Sequence, residues 1–211
     1  MTTQVARIRE PRWPAFVALI ADGMLYFALP ERLSVGPRWL LLAIVFLLLV
    51  PITHSYRRGR YDIARILTFI AMGAITFGLI ASLALLIQGL PRHLERPSQL
   101  LLSATLLWIT NVLVFGLWYW KLDAGGPLGR DTARGNIESS FLFPQMMMPN
   151  RDASWSPQFI DYLFLAFNTS TAFSPTDTAA LSRWAKIGMM TQALISLLIV
   201  ALLAARAVNI L

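Results

Sequence analysis

The chain has 211 residues, 56% of them hydrophobic and only 14% charged, with a mean hydropathy of +0.59; this balance excludes a soluble globular protein and fits a single polytopic membrane domain. Cysteine is absent, which removes disulfides, thiolate metal sites and cysteine nucleophiles. The net charge is +7, but the 18 basic residues, 16 of them Arg, flank apolar stretches instead of building one face, so they read as topology signals and no nucleic-acid surface is expected.

Five apolar stretches follow one another: Trp13 to Pro30, Trp39 to Thr53, Ile66 to Leu90, Leu100 to Trp120 and Ile187 to Ala205. At about 1.5 Å per residue a crossing needs roughly 20 residues, so the last three are comfortable spans and the first two are short. The connector Glu31 to Arg38, with Gly36 and Pro37, suits a helical hairpin over residues 1–54. Arg7, Arg9 and Arg12 ahead of the first stretch imitate a signal peptide, but Asp22 in its middle and the lack of a small-x-small site favour a retained helix. Two further spans fill 63–122, a polar connector 123–157, and a re-entrant segment with a terminal helix 158–211. The predicted fold is therefore an all-α membrane protein with five transmembrane helices and a re-entrant half-helix.

Several polar or small residues inside the spans carry their own expectations. Asp22 is costly there and is either a functional group or a hydrogen-bonded bridge between helices. Thr110 and Asn111 in the fourth span and Gln192 and Ser196 in the fifth lie at comparable depth. Ala74, Gly78 and Ser82 repeat every four residues and predict a close helix approach. Trp118, Tyr119 and Trp120 predict an interfacial aromatic belt. His54 and His93 fall in loops beside arginines, without partners at metal-ligand spacing.

The connector Lys121 to Pro157 is rich in Gly, Pro and Asn, with a run at Met146, Met147 and Met148; it reads as a mobile loop or a partner-binding segment. After it, Ser156 and Pro157 begin a short helix whose apolar run, Phe159 to Phe167, is too short to cross a bilayer. The stretch Asn168 to Thr178 is mostly hydroxyl and amide side chains, not helix-forming chemistry. Such backbone is tolerated at membrane depth only inside protein or along a water-filled cavity. With the segment re-entrant and the N-terminus cytoplasmic, 13 of the 18 Lys and Arg fall on the inner side and 5 on the outer.

The run Asp161-Tyr-Leu-Phe-Leu-Ala-Phe-Asn-Thr-Ser-Thr-Ala-Phe-Ser174, with the helix ending Ala205-Arg-Ala-Val-Asn-Ile-Leu211, resembles the pore helix, filter and inner helix of potassium channels over the last quarter of the chain. The whole chain also resembles bacterial inner-membrane families of unknown function. The resemblance implies a homo-oligomeric channel-like protein in the lipid bilayer, passing monovalent ions along Asn168, Thr169, Ser170, Thr171, Ala172, Phe173, Ser174 and Asp177. Ala172 and Ser174 stand where the family filter has glycine, so weak selectivity through side-chain oxygens is expected. Under the alternative, the same hydroxyls bond to helix ends, Asp177 caps the next helix and the chain is a non-conducting scaffold or accessory subunit; a weaker alternative is a small transporter centred on Asp22. No nucleophile with a base, metal cluster or phosphate loop is present, so neither catalysis nor a cofactor or metal is expected.

Overall fold

The computed structural model describes residues 10–89, 97–132, 139–148, 155–171 and 177–208. They form seven helices: α1 (Trp13–Ala28), α2 (Trp39–Arg57), α3 (Tyr61–Gly89), α4 (Pro97–Leu122), α5 (Gly126–Thr132), α6 (Phe159–Thr171) and α7 (Arg183–Val208). Two short strands, β1 (Phe141–Leu142) and β2 (Ala179–Ala180), pair antiparallel. The protein is thus all-helical, and α2, α3, α4 and α7 are each long and apolar enough to cross a membrane. The first helix has 16 residues, about 24 Å, and α6 has 13, about 20 Å, against a hydrocarbon core of roughly 30 Å.

Local chemistry sets the helix ends. Pro14 sits in the first turn of α1, and the helix stops where Leu29, extended, precedes Pro30. The α2–α3 hairpin turns on Gly59 at φ +70°. After α4 the chain reverses through Ala124, Gly125 and Gly126, all with positive φ. A Cβ on Gly126 would sit 2.8 Å from the Lys121 carbonyl oxygen, so this reversal needs glycine.

The fourth helix is the centre of the bundle: 61% of its apolar window is buried, against 22% in α2 and in α7. It packs against α1, α3, α6 and α7, while α1 also closes on α2. The approach expected at Gly78 is present, since a Cβ there would lie 3.1 Å from the Tyr26 ring. Outward surfaces carry Phe46, Leu47 and Val50 on α2, Ile66, Ile70 and Phe77 on α3, and Ile187, Met190 and Leu194 on α7. An apolar belt of this extent is a liability in water and the normal outer surface in lipid, so the protein is membrane-embedded.

Three local expectations are corrected. First, α6 runs through Asn168 to Thr171, because Thr169 and Thr171 donate their hydroxyls back to the carbonyls of Leu165 and Phe167 at 2.8 and 2.9 Å and so cease to compete with the helix. Second, Trp118 to Trp120 turn into the bundle: Trp118 donates to Thr76, Tyr119 to Gln192 and Trp120 to Glu10, and each ring nitrogen or hydroxyl is satisfied by protein. The outward-facing tryptophans are Trp13 and Trp39. Third, the described part of the polar connector has structure of its own, with α5, β1 and a 3-10 turn at Pro144–Met147.

Gly116 lets α4 approach the backbone of α6, because a Cβ there would stand 3.3 Å from the Leu163 Cα. Gly116→Leu is therefore expected to lower stability by about 1–3 kcal/mol by forcing the helices apart. Gly73→Ala, where a Cβ meets nothing within 4 Å, is expected to raise stability by about 0.5–1 kcal/mol. Thermal unfolding of the two variants in detergent checks the pair; equal melting points would contradict this packing.

Candidate functional site

The candidate site is the inner end of α6. From its start the helix runs antiparallel to α4: the Phe159 ring meets Trp120 at 5.9 Å, Leu163 faces Gly116, and Phe167 meets Trp108 at 5.8 Å. Its last turn lies beside Asn111, in the middle of α4. The start is shaped by Asp161, whose carboxylate accepts the Gln158 N–H at 2.7 Å, and the helix begins at Phe159, just after the Ser156–Pro157 start expected from sequence. Beyond the helix, Asp177 is exposed and β2 pairs with β1, so residues 179–180 lie beside residues 141–142.

A buried polar network holds this end in place. Gln192 donates its amide to the Ala166 carbonyl at 2.8 Å and to the Ser170 hydroxyl at 2.9 Å, and accepts the Tyr119 hydroxyl at 2.7 Å. Asn111 donates to the Gln192 carbonyl at 3.2 Å and to the Ser170 hydroxyl at 3.4 Å. Ser196 closes the set by donating to the Ser170 carbonyl at 2.7 Å. Among the described residues the Asn111 Oδ1 has no partner. Asn111 and Gln192, singled out in the sequence by depth alone, therefore meet at one residue of the filter-like run. Tyr119 was missed, because within Trp-Tyr-Trp it imitates an interfacial aromatic.

The filter-like residues divide accordingly. Thr169 and Ser170 are buried and engaged with protein; Asn168 is half-buried, while Thr171 and Asp177 are exposed. Ala172, Phe173 and Ser174 lie outside the described residues. Asp177 does not cap α7; Ser182 does, accepting the Ala185 N–H at 3.3 Å, because β2 intervenes between Asp177 and the helix.

Asp22 departs from the expected bridge. It is fully buried in α1, and neither carboxylate oxygen has a hydrogen-bond partner among the described residues.

A second polar cluster, not foreseen from sequence, joins the connector to the opposite end of α6, where α4 ends. Asp123 is fully buried; its carboxylate accepts the Tyr162 hydroxyl at 2.6 Å, the Ser139 hydroxyl at 2.7 Å and the Ser140 N–H at 2.5 Å. Arg130 donates to the carbonyls of Trp120 and Asp123 and pairs with Glu10 at 2.8 Å, both side chains being 2% exposed. Burial pushes the Glu10 carboxyl above the usual carboxylate range, against the pull of the Arg130 guanidinium. The signal available in sequence was an acid directly after an aromatic helix end, Trp118-Tyr-Trp-Lys-Leu-Asp123. Among the described residues no three His, Cys, Asp or Glu are grouped to hold a metal ion.

Gln192→Leu removes three interhelical bonds, worth roughly 0.6 kcal/mol each in membrane proteins, so a loss of about 2 kcal/mol is expected in denaturation from mild detergent. Unchanged stability would mean the network does not hold α6. Asp22→Asn removes a carboxyl that costs about 2.5–3.5 kcal/mol on insertion scales when ionised, and is expected to leave the melting point equal or higher. A loss above about 1 kcal/mol would reveal an unseen partner for this residue. No protein-family model, curated protein or solved structure matches the chain.

Proposed function

We propose that the protein is a channel-like homo-oligomer of a bacterial inner membrane, passing monovalent cations with weak selectivity, with five crossings, a re-entrant α6 and a cytoplasmic N-terminus. The observation that carries this reading is the placement of α6. The helix starts at the Trp120 end of α4 and finishes beside Asn111, and the chain is again beside β1 at residues 179–180. A 13-residue helix whose following strand lies back near Asp123 supports a pore-loop reading, and polar backbone at membrane depth needs a protein or water environment.

The chemistry at its end favours cations. Helix C-termini carry partial negative charge, and Thr171 and Asp177 add oxygens on the outer surface, where only another copy of the chain can enclose them. The path therefore uses Asn168, Thr171 and Asp177, while Thr169 and Ser170 hold the half-helix. The charge distribution supports the orientation: Arg12, Arg57, Arg58, Arg60, Arg65 and Lys121 all flank the helix ends joined at the Trp120 end of the bundle.

A second reading, a non-conducting scaffold, is favoured by the internal use of the Thr169 and Ser170 hydroxyls. Flux through purified protein in liposomes separates the two. Under the channel reading Thr171→Val reduces cation flux about tenfold, the worth of one lost polar contact, with the oligomer intact, while Ser170→Ala acts mainly on stability. Absence of monovalent flux from the unaltered protein at every voltage and pH tried leaves the scaffold.

Topology is tested on the same cysteine-free background. Gln158→Cys and Ala179→Cys, at exposed positions flanking α6, are expected to share accessibility to an impermeant thiol reagent on intact cells, with Ser98→Cys opposite. Opposite labelling of Gln158→Cys and Ala179→Cys would mean a full sixth crossing.

A further inference from the structure

Where α1 and α3 begin and α2 and α4 end, a cavity of about 200 Å³ is lined by Arg12, Arg65, Lys121, Tyr56, Asp62 and residues of the turn leading into α5. We propose that this cavity binds a single phosphoryl group, carried by an anionic lipid headgroup or present as free phosphate. The proposal stands independently of conduction.

Lys121 is the centre of the argument. It is only 5% exposed, yet among the described residues its ammonium makes one hydrogen bond, to the Tyr56 hydroxyl at 3.0 Å, and rests 5.8 Å from the Tyr56 ring and 5.9 Å from the Trp120 ring. An ammonium has three donors, and among the described residues no carboxylate lies within ion-pair distance of it. Burying an unpaired cation is costly, and a second and third cation line the same space. Arg12 is shared with Asp131 at 3.6 Å and lies over the Tyr56 ring at 4.8 Å, while Arg65 rests on the Phe69 ring at 5.6 Å.

Asp62 is the one acid among the described lining residues. Counting Asp131 as well, the two acids leave the three cations with an excess positive charge that a phosphoryl oxygen set would neutralise. Size narrows the class further: about 200 Å³ is below the roughly 300–1,000 Å³ of pockets for drug-sized ligands, so one compact anionic group fits and a whole lipid does not. The surrounding turn adds Arg57, Arg58 and Arg60, which raise the local concentration of anions at this end of the bundle.

The test measures the thermal unfolding of full-length protein in uncharged detergent against three additives: phosphatidylglycerol, inorganic phosphate and phosphate-free diacylglycerol. A saturable rise in melting temperature with phosphatidylglycerol or phosphate, and none with diacylglycerol, is expected. The additive acting at lower concentration identifies the source. Lys121→Gln should weaken the effect at least about tenfold, as for one charge-assisted hydrogen bond. Arg65→Gln, an exposed position that leaves the fold intact, should weaken it in the same sense. No shift with either phosphate source, or a shift unchanged in Arg65→Gln and Lys121→Gln, overturns the proposal.

Discussion

Gln192, at the middle of the last helix, offers two amide donors and an acceptor in a region where lipid supplies neither. Its bonds to Ala166, Ser170 and Tyr119 make it the joint at which α4, α6 and α7 meet. A 13-residue helix cannot be held in a bilayer by its own hydrophobic length, and its final turn is all amide and hydroxyl. The placement of the last turn of α6, Asn168 to Thr171, depends on that joint.

The other end of α6 is fixed by a different chemistry. Tyr162, one turn into the helix, donates to Asp123, and Asp123 also gathers Ser139 and Ser140. Ser140 in turn accepts the Trp184 ring N–H at 3.0 Å and, through its carbonyl, the Leu181 N–H at 2.8 Å, which links the start of α7 to the same carboxylate. The buried Glu10–Arg130 pair adds the segment before α1. Such pairs contribute little net stability after desolvation, and breaking one partner is far more harmful than replacing both. Their effect here is geometric: the connector is tied to the body beside the cavity that holds Lys121.

The long helices were legible because hydropathy and length are summed properties of the chain. Leu100 to Trp120 and Ile187 to Ala205 fall within α4 and α7, and the short helix before the polar run was visible in Phe159 to Phe167. Asn168 to Thr171 was misjudged, since propensity cannot register that a threonine hydroxyl will return to its own i−4 carbonyl. Nor can a linear reading pair Glu10 with Arg130, 120 positions apart, or reveal that Tyr119 faces Gln192 instead of the interface. Asp22 was conspicuous in the sequence, but that neither of its carboxylate oxygens has a hydrogen-bond partner among the described residues became visible only in three dimensions.

The central claim is that α6 descends to the middle of the membrane and stops there. Spin labels placed singly at its outward apolar positions, Ile160, Phe164 and Phe167, report immersion depth from their relative accessibility to oxygen and to a water-soluble relaxant in lipid bilayers. The account predicts that depth increases steadily from Ile160 and is greatest at Phe167. A constant shallow depth along the three positions would place α6 on the membrane surface, and a maximum at Phe164 followed by a return toward water at Phe167 would make it a crossing; either result contradicts a half-helix held at mid-membrane.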